Sequence, residues 1–193
     1  MTFLLIGLVL FLGVHLVRVF ADDWRTRQIA AHGEGVWKGI YALVSVIGFV
    51  LLVYGYGVAR ADPLVLWHPP VWTRHLAALL TLPAFILLFA TYVPGTRMKA
   101  AIGHPMLLAT KFWAFAHLIA NGNLADVLLF GGFLAWAVLL FVHSRRRDRA
   151  AGTVYAAAGF SRDVMAVVGG TGIWAIFAMF LHAQLIGVAP FGG

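Results

Sequence analysis

The chain has 193 residues, of which 62% are hydrophobic and only 11% charged, and its mean hydropathy is +0.92. That composition excludes an ordinary soluble domain and points to an integral membrane protein. The formal charge of +7 fits membrane topology and attraction to anionic lipid, and it is not read as nucleic-acid binding. Apolar stretches near the ~20 residues a helical span needs fall at 3–20, 36–59, 71–93, 105–121, 124–143 and 164–189. The expected fold is therefore all-α: one compact domain over 1–193, a transmembrane bundle of about six helices.

The first stretch resembles a signal peptide only superficially. Val19-Phe20-Ala21 would pass as a cleavage site, yet no Lys or Arg precedes the apolar run, and Arg18, Arg25 and Arg27 lie at or beyond its end. It reads as a retained span with its N-terminus outside. The inner side then carries Arg18, Arg25, Arg27, Lys38, Arg97, Lys99, the run Arg145-Arg146-Arg147 with Arg149, and Arg162, against Arg60 and Arg74 outside. This positive-inside bias places both termini outside the cytoplasm.

Within span one, His15 has Arg18 three positions on and Asp22 seven on, expected on one helical face. Snorkelling explains Arg18 and Asp22. It explains His15 less well, because an imidazole is too short to reach the headgroups, so a ligand or buried-network role competes with it. Between spans two and three, Pro63, Pro69 and Pro70 make 60–70 a turn, with Trp67 and Trp72 at headgroup depth. His68, with His75 near the start of span three and His182 near the end of span six, forms one potential outer-side metal or haem site. Each of the three also fits a plain interfacial position.

The run from His104 to Asn123, HPMLLATKFWAFAHLIANGN, holds two histidines and a lysine in an apolar helix. Buried ionisable groups in hydrocarbon cost a few kcal/mol and face a partner, a cavity or a cofactor. His104 precedes Pro105, which suits the first helical turn, so capping and interfacial placement account for it. Lys111 shares its face and reads as snorkelling, with pairing to a ligand carboxylate as the alternative. His117 lies deep in the span with Trp113 one turn before, Asn121 one turn after, and Ala114, Ala116 and Ala120 around it. It would suit either a flat macrocycle or a hydrogen bond across a helix interface. His104 and His117 project from roughly opposite faces and cannot share one iron.

Asn121-Gly122-Asn123 reads as a short connection between spans four and five, and Asp126 as a residue placed near a helix N-terminus. His32 and His143 read as solvated. Glycines inside the spans, among them Gly7, Gly13, Gly48, Gly131, Gly132, Gly169 and Gly170, permit close helix approach or leave room for a flat ligand. With no cysteine, disulfides, thiolate ligation and covalent c-type haem are excluded. No phosphate loop, Ser-His-Asp spacing or HExxH is present.

The stretches GVHLVR, GVWKGIYALVSVIGF and HPMLLATKFWAFAHLIANG, with their spacing, resemble the NnrU family of bacterial membrane proteins, related to plant 15-cis-zeta-carotene isomerase. The resemblance implies a haem b held between helices by His15 and His117, which makes these two the candidate haem-iron ligands. Arg18 and Asn121 are the further candidate cofactor-binding residues, and His104, His75 and His182 are reserve metal candidates. The plant isomerase has a cysteine three residues before its second histidine, where this chain has Ala114. Family resemblance also implies a place in the bacterial inner membrane and an association with denitrification, through nitrite or nitric oxide metabolism and its proteins. Two other functions stay open: haem-dependent cis-trans isomerisation of an apolar polyene, and a cofactor-free scaffold or assembly factor.

Overall fold

A computed structural model describes residues 1–191. Its elements are α1 (Thr2–Phe20), α2 (Asp22–His32), α3 (Glu34–Ala61), α4 (Trp72–Tyr92), α5 (Arg97–Ile102), α6 (Pro105–Ala120), α7 (Leu124–Ala150) and α8 (Phe160–Ile176), then a π-helical turn (Phe177–Leu181) and α9 (His182–Ile186). Among the described residues, β-structure is limited to an isolated bridge between Val65 and Asn123. The chain is thus an all-α, multi-pass membrane protein. Five helices are long and apolar enough to cross a bilayer: α1, α3, α4, α7 and the continuous rod from Phe160 to Ile186. The sixth expected span, α6, is a 16-residue helix of about 24 Å, short against a hydrocarbon core of roughly 30 Å.

The expected loops contain more helix than the sequence suggested. Residues 22–32 and 97–102 form α2 and α5, and α7 continues through the basic run to Ala150. α1 stops at Phe20 because Ala21 leaves helical geometry, with φ −144° and ψ 39°. Asp22 therefore opens α2 and does not extend the face of His15 and Arg18; it accepts a hydrogen bond from Arg25.

Two compact units divide the chain. Unit 1 comprises residues 1–67 and 122–136, and unit 2 comprises 68–121 and the chain from 137 onward. The first half of α7 thus belongs to unit 1 and the second half to unit 2.

In unit 1, α1 packs on α3. Leu4, Leu8 and Leu12 recur every four residues and are buried, and glycines bring the two backbones together. A methyl group on Gly55 would overlap the backbone of Leu4, one on Gly7 that of Leu52, and one on Gly48 would come 2.7 Å from the Phe11 nitrogen. Such contacts supply the dispersion that holds helices together where lipid removes the hydrophobic drive. At one end of this unit, Leu66 and Trp67 donate to the Gly122 carbonyl, and Leu124 donates to that of Leu64. Asp126 is buried there. It accepts from the Tyr56 hydroxyl at 2.6 Å and from the backbone and side-chain nitrogens of Asn123 at 3.3 and 2.9 Å, which closes the start of α7 as a capping carboxylate does.

Unit 2 packs α4 against α6 and α8. Ala90, Val93 and Ala166 form a small core, flanked by Phe89 and Met98. Gly170 of α8 lies against the backbone of Ile86. Asp163 accepts from the backbone nitrogens of Arg97 and Met98, tying the start of α8 to α5. Trp174 donates to Thr81 at 3.1 Å, which satisfies its indole N–H.

Candidate functional site

The polar residues of the spans gather at three places. In unit 1, His15 sits in an aromatic surround: its ring centroid lies 4.6 Å from Phe11, 5.2 Å from Tyr41 and 6.1 Å from Trp136. Its Nδ1 donates to the Phe11 carbonyl at 2.6 Å. In the neutral imidazole, that bond assigns the proton to Nδ1 and the lone pair to Nε2.

In unit 2, His117 repeats the arrangement. Its Nδ1 donates to the Trp113 carbonyl at 2.7 Å, and Trp113 lies beside it at 5.3 Å. Asn121 donates from its side chain to the His117 carbonyl at 2.9 Å; it ends the helix and holds the backbone beneath the histidine. His182 faces His117, with centroids 6.5 Å apart and planes 22° from parallel. His182 also ties its Nδ1 to a carbonyl, that of Val188 at 2.6 Å. The π-helical turn that precedes it, a form frequent at functional sites, places Phe177 edge-on against His182 at 5.8 Å.

The third place is a closed polar cluster in unit 2. His104 Nε2 and the Tyr155 hydroxyl donate to the same oxygen of Asp148, at 2.8 and 2.9 Å. His104 also meets Tyr155 and Phe141 edge-on. Burial and the hydrogen bond to Asp148 push the Tyr155 phenol above its ordinary range.

A protein-family model for NnrU, described as "NnrU protein", matches residues 3–190, nearly the whole chain. The chain belongs to the NnrU family. No curated protein and no solved structure gives a match.

In this NnrU chain the donors of the first two places suit haem iron. Axial imidazoles bind through one ring nitrogen while the other is held by a carbonyl or carboxylate, which fixes the ring and the tautomer. His15, His117 and His182 each carry that backbone tether. His15 lies in unit 1, and His117 lies in unit 2 with His182. Arg18 is exposed, three residues beyond His15 on α1.

The other sequence candidates fall differently. His104 occupies the N-cap position of α6 with Pro105 in the first turn, but its side chain makes no cap bond and is spent on Asp148. Lys111, expected to snorkel, holds its ammonium 3.7 Å from the centre of the Phe141 ring, a cation–π contact. His68 and His75 are exposed. Among the described residues, no group of three or more His, Asp or Glu is placed to hold a bare metal ion. His182 instead finds His117. Its likeness in depth to His68 and His75 concealed this neighbour, although an α6 that ends near Ala120 puts His117 toward the same end of unit 2.

Sequence reading missed Asp148 and Tyr155. Asp148 is the one acid in the run RRRDR, and the charges around it made the segment read as a uniform basic loop.

Proposed function

We propose that this NnrU protein is a haem b-binding membrane protein, with His15 and His117 as axial-ligand residues, that serves nitrite and nitric oxide metabolism of the denitrifying type. The observation that carries the reading is the tether within an aromatic surround: each histidine, packed against rings of an apolar helix, commits Nδ1 to the carbonyl four residues back. The exposed His32 makes the same bond without such a surround. In the neutral form His15 and His117 each then have the lone pair on Nε2, the state iron requires. Imidazoles set among aromatic and small side chains are what an apolar macrocycle needs from a helix bundle. The reaction class is redox or small-ligand binding, since bound haem supplies an iron that changes oxidation state or takes a diatomic ligand. The residues hold the ring nitrogens in place and keep water away. By the positive-inside rule the reading sets the basic segments on the cytoplasmic side of a bacterial inner membrane, with both termini on the other side.

The deciding measurement is the reduced-minus-oxidised absorption spectrum of detergent-purified protein beside His15→Ala and His117→Ala, followed by addition of nitric oxide. The reading expects a b-type spectrum in the wild type and its loss in both variants with helicity retained; a spectral shift on adding nitric oxide would show that one of the two imidazoles gives way to the diatomic ligand. A wild type that takes up no haem when haem is supplied during expression would overturn it.

A further inference from the structure

An indole N–H buried without an acceptor is uncommon, because the large majority of buried side-chain polar atoms find a partner. In hydrocarbon, where no water can substitute, the cost is several kcal/mol. Trp136 Nε1 is such a group: it is buried and has no hydrogen-bond partner. Trp174 shows the ordinary solution in the same chain, with Thr81 as its acceptor. The groups beside Trp136 offer little. Phe133, edge-on at 6.2 Å, is hydrocarbon; His15, edge-on at 6.1 Å, donates from Nδ1 to Phe11, and its Nε2 makes no hydrogen bond to the indole and is the atom the haem reading gives to iron. One turn beyond His15, the Arg18 guanidinium has no salt-bridge partner among the described residues. One buried donor without an acceptor and one exposed guanidinium without a salt bridge thus accompany one tethered histidine. Their chemistry asks for an anionic oxygen on the molecule that His15 binds.

We infer that Trp136 is a cofactor-positioning residue whose N–H donates to a carboxylate of the haem, with Arg18 as the neighbouring countercharge. The inference rests on the haem reading above and adds the recognition of the carboxylate end. It explains why a tryptophan stands at this depth of α7, where phenylalanine would pack at lower cost in lipid. Hydrogen bonds to a charged acceptor are roughly twice as strong as neutral ones, so the contribution should appear in haem retention.

The test uses purified haem-loaded protein and follows haem transfer to excess apomyoglobin for wild type, Trp136→Phe and the control Trp174→Phe. Transfer from Trp136→Phe is expected to be roughly tenfold faster, with its b-type spectrum kept and Trp174→Phe unchanged. A second comparison does not depend on how the variant folds: haem dimethyl ester, which lacks the carboxylate charge, should leave the wild-type protein faster than haem. That penalty should shrink in Trp136→Phe, and in Arg18→Gln if the guanidinium faces the same group. Equal transfer from wild type and Trp136→Phe would overturn the inference while leaving the haem reading intact. An ester retained as well as haem by the wild type would do the same, and would point to lipid phosphate as the partner of Arg18. Absence of haem from the wild type would overturn the underlying reading instead.

Discussion

The His104 cluster of unit 2 and the His15 surround of unit 1 both place an imidazole in an apolar bundle, and they solve its polarity in opposite ways. Around His104 every polar group is matched: one carboxylate oxygen of Asp148 takes the histidine and the Tyr155 phenol. Around His15 the neighbours are rings, and a buried indole N–H points at no acceptor. A matched cluster stabilises its own fold and has little left for a ligand. An unmatched one is held together by its surroundings and carries unused recognition capacity. Two histidines of similar appearance in sequence thus have different surroundings: His104 is spent within its own fold, and His15 is the one the haem proposal uses.

Removing the shared acceptor should separate the two most clearly. Asp148→Leu leaves His104 and Tyr155 without their partner and is expected to cost about 2 kcal/mol, read as a lower melting temperature in detergent, whereas haem binding by His15 should persist. If Asp148→Leu melted like the wild type, the cluster would not be the structural member of the pair.

Tyr155→Phe deletes one bond and leaves Asp148 paired with His104, so a loss of about 1 kcal/mol is expected. The same phenol gives a pH signature. Because its value in the folded protein is raised, its contribution is complete below the ordinary phenol range and fades as pH rises through the folded value. Melting temperatures followed from the ordinary phenol range, about pH 10, upward should therefore fall more steeply for wild type than for Tyr155→Phe.

The smallest effect belongs to His15→Leu in haem-free protein, expected within about 0.5 kcal/mol of wild type. The substitution fills the same aromatic surround, and the Phe11 carbonyl keeps its helical bond. A large destabilisation would make His15 a second structural histidine and remove the contrast.

The spans were legible because hydropathy and length are local properties. The bounds of α1, α3 and α4 follow the apolar stretches within about two residues, the usual play at helix ends. The breaks were less visible. Ala21 divides α1 from α2 without a proline or glycine at the position, and α7 runs on through Arg145–Arg149 because arginine is a good helix former once outside the membrane. Of the site, the tether at His15 and His117 was implicit in any helical histidine with a carbonyl four residues back. Pairing across helices was not. Asp148 stands 44 positions from His104, and no single sequence shows which of several distant acids a buried histidine will meet. The unmatched N–H of Trp136 is still further from sequence, since it is defined by what its neighbours lack.

The π-helical turn at Phe177–Leu181 acts as a one-residue shim in the last long rod. Deleting Ala178 would let the rod close into continuous α-helix, turning everything beyond it by about 100° and drawing it back about 1.5 Å. His182 would then leave the ring of His117, while the packing of α8 on α4 upstream of the turn stayed as it is. The contact between these two imidazoles is thus set by chain length at a single point and can be tuned without touching either histidine.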